Sequence, residues 1–337
     1  MNGGQYVGDN RNLPQRQSLQ LACHTWGFSD KPLDEAIQTI ARLGFNYVDL
    51  GSGPHLDIDA AAKNPLGEAR GIRVLLDYFH LELTDLYLML PALSSVDEGR
   101  RLYEVRQFER LLPFATELGV PGITLSPGIE TPEIKNARIP RLELYTNPVS
   151  DDEEEEEADE PALEPGVFDA EDEEDAEPPP PSPFDYAVDS FQRIVELIED
   201  TDLRLSFEPH VDSVAATPEK ALAMLDAVPG LSLTLDWAQF IAQGIISREI
   251  EPLLQHTAHV QIRQAGRGRL QTPYHEGAVD IRQVVSMLLR NGYRGAISIE
   301  YMTRADTAEL AILDVVRETS LVRDAIRRTR QEFRSIT

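Results

Sequence analysis

The chain has a single cysteine, Cys23, in 337 residues. That excludes an intramolecular disulfide and any cysteine-based zinc cluster. It has no run of about 18 apolar residues, so no membrane-spanning helix is expected. The first 17 residues are polar, with Arg11 and Arg16 and no apolar stretch, which argues against a secretory signal. A cytoplasmic protein without a membrane partner is the expectation. Basic residues are also scarce: 31 Lys and Arg stand against 58 Asp and Glu, for a net charge of −27. An acidic surface repels phosphate backbones, so nucleic acid is not an expected partner.

The acid is local. Residues 151–177 hold 17 Asp or Glu and no Lys or Arg, and without them the net charge falls to about −10. The stretch runs into Pro178-Pro179-Pro180-Pro181-Ser182-Pro183. Few apolar residues and dense like charge cannot offset the entropy of ordering, so 145–183 is expected to be a disordered insertion in a surface loop. Its alternative role is a docking arm for a basic partner.

Around the insertion, short β-rich runs alternate with amphipathic helical stretches. Strands are expected at 19–24, 47–51, 73–79, 122–126, 203–208, 231–236, 258–263 and 296–300. The main helices are expected at 32–44, 97–118, 185–199, 247–256, 280–290 and 307–331, with one opening at Thr217-Pro218. Eight β-then-α units in strict order predict an α/β fold, a (β/α)₈ TIM barrel with the acidic insertion after strand four. Residues 1–17 form a flexible arm, and 18–337 form one barrel interrupted by 145–183. An open doubly wound sheet is the runner-up, but no Gly-rich phosphate loop follows the first strand.

Strand five ends in Glu208, strand six in Asp236 and strand eight in Glu300. A closed barrel turns all three ends to one mouth, where active sites sit. One acidic residue at a strand end is commonly just solvated. Three converging carboxylates repel one another, and a divalent cation resolves the conflict. Oxygen-rich ligation suits Mg²⁺ or Mn²⁺.

The chain resembles the xylose isomerase-like barrel superfamily, in its sugar-phosphate isomerase/epimerase branch. The resemblance rests on His24-Thr25-Trp26, the stretch from Gly44 to Gly51, Phe207-Glu208-Pro209-His210, Leu235-Asp236, the run Ile262 to Ala265, and Ile299-Glu300. It implies metal ligation at the ends of strands five to eight, by Glu208, Asp236, Gln261 and Glu300. The family pattern has histidine where this chain has Gln261, and a second histidine near substrate where it has Gln239. A glutamine offers a carbonyl oxygen, a weaker ligand than imidazole. The cofactor is therefore Mn²⁺ or Mg²⁺, or none.

Further substrate-binding candidates are His24, Trp26, His210, Gln239, Arg263, Arg267 and His275. Trp26 is suited to cover a sugar face, with core packing as its alternative. His210 lies two residues beyond Glu208, on the same side of an extended chain. Arg263 and Arg267 can hold a sugar oxygen, carboxylate or phosphate, or pair with a mouth carboxylate. His259 is read as a core histidine, and His55 and His80 as mouth or surface residues.

The resemblance implies aldose–ketose isomerisation or epimerisation of a sugar or polyol, phosphorylated or not. Glu208 and Glu300 would exchange a proton on opposite sides of the reacting carbon, through a metal-stabilised enediolate. It also implies a homodimer. The alternatives are a lyase or dehydratase on the same scaffold, and a metal-free degenerate barrel that binds or scaffolds.

Overall fold

The computed structural model describes residues 19–128, 180–303 and 311–336. The expected arm 1–17 and most of the acidic insertion lie outside the described residues.

Eight parallel strands close into a barrel in chain order. They are β1 (Gln20–His24), β2 (Tyr47–Gly51), β3 (Glu82–Leu88), β4 (Gly122–Leu125), β5 (Arg204–Phe207), β6 (Ser232–Asp236), β7 (Thr257–Ile262) and β8 (Ala296–Ile299). The helices around them are α1 (Leu33–Arg42), α2 (Ile58–Lys63), α3 (Pro65–Phe79), α4 (Glu98–Leu118), α5 (Pro183–Ile198), α6 (Pro218–Ala227), α7 (Trp237–Ala242), α8 (Ser247–Ile250), α9 (Ile281–Arg290) and α10 (Val315–Ile336). Asp57, Asn64, Asp97, Ser182, Thr217 and Asp280 each accept a backbone N–H at a helix start. Such caps contribute about 0.5–2 kcal/mol each relative to alanine, and here they fix where the helices begin.

Strand alternation sorts the side chains. Leu21 and Cys23 of β1 join the main core between strands and helices. Ala22 and His24, at the alternate positions, therefore face the barrel axis. Burial pushes the Cys23 thiol far up, so it is a packing residue rather than a nucleophile. Below the mouth the barrel interior is polar rather than the branched-aliphatic packing common in such barrels. Thr124 bonds Asp85 at 2.5 Å and Thr234 at 2.7 Å, and Ser206 bonds Thr234 at 2.7 Å. Asp49 accepts from Thr84 and lies 2.7 Å from His259 Nε2. His259 is thus the core histidine that its position suggests.

Several expected elements differ. Residues 73–79, expected as strand three, are the second half of α3. A short apolar run does not by itself distinguish strand from helix. Here Asn64 and Pro65 open a helix, Ile72 and Leu76 face the core one turn apart, and Val74 and Tyr78 stay exposed. His80 ends the helix in the left-handed conformation, at φ 56°. It therefore lies at the barrel floor, before β3, and not at the mouth. The expected 247–256 helix is a single α turn followed by a 3₁₀ stretch, Glu251–His256. Helix α10 starts at Val315 rather than at 307, and 311–314 are not helical. The Ser182–Asp185 capping box places the last residues of the expected insertion at the start of α5.

Candidate functional site

Glu208 follows β5, Asp236 ends β6 and Glu300 follows β8, so the three carboxyl groups converge at the mouth. Their nearest oxygens all lie within 4.8 Å of one another, and all three residues are fully buried. Each is held differently. Glu208 accepts from the Tyr87 hydroxyl at 2.8 Å and from Gln239 Nε2 at 3.1 Å. Asp236 caps α7 by accepting from Ala238 N–H at 3.0 Å, and its other oxygen lies 2.9 Å from the Arg263 guanidinium. Glu300 receives the same guanidinium at 2.6 Å.

Arg263 lies two residues beyond Gln261 on β7's inward side. Its Nε donates to the Leu270 carbonyl at 3.0 Å, and Nη1 also donates to the Glu300 carbonyl at 2.9 Å. The side chain has no exposed surface and is spent on Asp236, Glu300 and the loop after β7. It holds the carboxylates rather than reaching out toward a ligand. Gln239 is spent likewise: its carbonyl oxygen accepts from Val211 N–H at 3.1 Å while its amide donates to Glu208.

A divalent cation fits this donor set. Three carboxylates and one guanidinium carry a formal charge of −2, costly in a buried site unless it is neutralised. Gln261 Oε1, paired in register beside Asp236, is buried and has no hydrogen-bond partner among the described residues. It is the oxygen donor a hard cation would use.

His24, Trp26 and Tyr87 line one side of the mouth. The His24 and Trp26 ring centroids lie 4.4 Å apart, and those of Trp26 and Tyr87 lie 4.7 Å apart. Trp26 donates from Nε1 to the Ser52 carbonyl at 2.9 Å. With Leu270, Met302 and Ala242, the Trp26 and Tyr87 rings form a small apolar cluster separate from the main core. Burial holds His24 far down, to about 3, so the ring is neutral.

His210 is buried, with Nδ1 2.7 Å from the Val211 carbonyl and Nε2 2.7 Å from Ser126 Oγ. Both ring nitrogens serve the protein, which makes His210 a loop brace. Arg267 is exposed on the rim, its stem beside Gly244. His275 is exposed against Tyr274. Neither joins the buried cluster. His55 faces the Phe28 and Lys31 carbonyls. Sequence reasoning missed Tyr87 because it placed strand three too early. The Leu86-Tyr87-Leu88 run, assigned to a strand, would have aimed Tyr87 at the mouth.

A family model described as "Xylose isomerase-like TIM barrel" matches residues 37–331. A human protein named "Putative hydroxypyruvate isomerase" is 34% identical over 97 residues, 28% of this chain. The match spans about a third of that relative's length, 34%. Solved structures that share the fold include two sugar epimerases. D-allulose 3-epimerase from Methylomonas sp. is 15% identical, with a TM-score of 0.61, and the match covers 93% of this chain and 99% of that one. D-psicose 3-epimerase from Clostridium cellulolyticum H10 is 12% identical, with a TM-score of 0.62, over 92% and 99%.

Proposed function

This chain belongs to the xylose isomerase-like TIM barrel family, and we propose that it is an isomerase or epimerase of a small sugar-like hydroxycarbonyl compound. The observation that carries the reading is the buried convergence of Glu208, Asp236 and Glu300 at the barrel mouth. The named activities of the relatives and fold neighbours are consistent with it.

Glu208 and Glu300 come from strands three positions apart in an eight-stranded ring. They therefore approach a bound substrate from different sides, as proton removal from one face and return to another requires. Arg263 holds and aims Glu300, and Tyr87 and Gln239 aim Glu208. The apolar cluster of Trp26, Tyr87, Leu270 and Met302 keeps water from the reacting carbon. Glu208, Asp236, Gln261 and Glu300 would hold Mg²⁺ or Mn²⁺. Such a cation, when bound, supplies Lewis-acid stabilisation of negative charge on a substrate oxygen.

The test is turnover of hydroxypyruvate and of free ketoses by wild type and Glu300→Gln, each with added Mg²⁺ or Mn²⁺. The reading expects activity in the wild type and a loss of about 10³-fold or more in the variant. Product formation at the same rate in both removes Glu300 from the chemistry. An alkene product assigns the site to elimination instead.

A further inference from the structure

The geometry points to His24 as a substrate-binding donor whose Nε2–H meets an oxygen of the substrate, with its tautomer set by Trp26. This rests on the isomerase reading of the same mouth. Trp26 N–H donates to His24 Nδ1 at 3.1 Å. A nitrogen that accepts cannot carry the ring's proton, so in the neutral imidazole the proton sits on Nε2. Strand alternation sends His24 into the barrel, opposite to Cys23. There Nε2 is fully buried and has no hydrogen-bond partner among the described residues. Buried N–H donors are nearly always satisfied, and one left open beside a reactive site marks a place for a ligand acceptor.

The ring cannot turn away to find another partner. The Trp26 ring packs against it tilted by 43°, with centroids 4.4 Å apart, and only a glycine fits at position 51, where a Cβ would come within 2.6 Å of His24 Cε1. The Tyr87 ring stands edge-on at 6.3 Å, with its hydroxyl on Glu208. His24 thus stands at the end of β1, across the ring from β5, with Tyr87 between it and Glu208. A neutral imidazole N–H there can polarise a carbonyl and follow its oxygen as negative charge builds, without giving up its proton. That role differs from the acid–base work of Glu208 and Glu300.

The test uses full-length protein with Mg²⁺, labelled with ¹⁵N-histidine, and glycolohydroxamate as a planar mimic of an enediolate. The His24 resonances should show one tautomer, protonated at Nε2, and the Nε2 proton should move downfield when the hydroxamate binds. Two variants separate this role from a structural one. In His24→Gln the amide nitrogen reaches the place of Nε2; in His24→Asn the carbonyl reaches the place of Nδ1 and keeps only the bond from Trp26. The proposal expects His24→Gln to bind the hydroxamate about tenfold or more tightly than His24→Asn. A purely structural histidine gives the reverse order. An unmoved His24 signal in wild type that binds the hydroxamate, or His24→Asn binding as tightly as His24→Gln, overturns the proposal and leaves the isomerase reading standing. A wild type that binds no hydroxamate overturns both.

Discussion

Arg263 Nη1 lies 2.6 Å from Glu300 Oε2, and both side chains are wholly buried. The same guanidinium reaches Asp236 at 2.9 Å. One fixed cation therefore holds two of the three mouth carboxylates in place. Replacing Arg263 with Met leaves those carboxylates without it. Loss of one partner from such a buried pair costs about 3–5 kcal/mol. Chemical unfolding should show a loss of that size, partly recovered by added Mg²⁺, with a smaller loss for Arg263→Lys. An Arg263→Met variant within about 1 kcal/mol of wild type would mean that the pair does not support the fold.

Gln261 would complete an all-oxygen donor set with Glu208, Asp236 and Glu300. Gln261→Leu should weaken Mg²⁺ and Mn²⁺ binding by about tenfold or more, because even outer-shell changes cost that much. Gln261→His should turn the preference toward Zn²⁺, which imidazole suits. Competition against a chelator measures both. Unchanged affinities in both variants would exclude Gln261 from the ion's ligands.

Tyr87 donates to Glu208 at 2.8 Å, and the two are 121 residues apart in sequence. Tyr87→Phe removes that hydroxyl and keeps the ring against Trp26. A hydrogen bond to a charged group contributes about 1.5–3 kcal/mol, so kcat should fall by about ten- to a hundredfold with KM little changed. A rise in KM at constant kcat would instead make Tyr87 a binding wall only.

Below the site, burial opposes a charge on His259, but Asp49 and Asp85 outweigh it and raise its pKa. Burial likewise opposes ionisation of Asp49, and His259 overrides it and lowers the pKa. The His259 contribution to stability is complete below its ordinary value near 6.5 and is lost as pH rises through the raised value. The Asp49 contribution is present above its ordinary value near 3.9 and is lost as pH falls through the lowered one. The pair therefore stabilises most between about pH 4 and about pH 6.5. Urea unfolding of wild type and Asp49→Asn should show a stability gap that narrows from about pH 6 to about pH 9. A widening gap would contradict the ion pair.

Much of the barrel is legible along the chain. The runs ending at Glu208, Asp236 and Glu300 read as strands because each is short, β-rich and followed by a helix start. The misplacement of strand three shows the limit. Val74 to Phe79 is as apolar as a strand, and only the cap at Asn64 and the spacing of Ile72 and Leu76 mark it as helix. The partners of the carboxylates were less legible. Tyr87 reaches Glu208 from two strands away, and Gln239 and Arg263 meet Glu208 and Glu300 from neighbouring strand ends. Residue type does not say whether an arginine at a strand end faces ligand or carboxylate. Arg263 and Gln239 both serve the protein. The rim loop lifts Arg267 away from the cluster.

The most direct measurement is proton NMR of purified full-length protein with hydroxypyruvate, and separately with a free ketohexose, in D₂O with added Mg²⁺ or Mn²⁺. The account predicts an isomer or epimer of at least one of these, deuterium entering at the carbon beside the carbonyl, and neither change with Glu300→Gln. No deuterium uptake and no new isomer from either compound, with the cation shown to be bound at Glu208, Asp236 and Glu300, would contradict it.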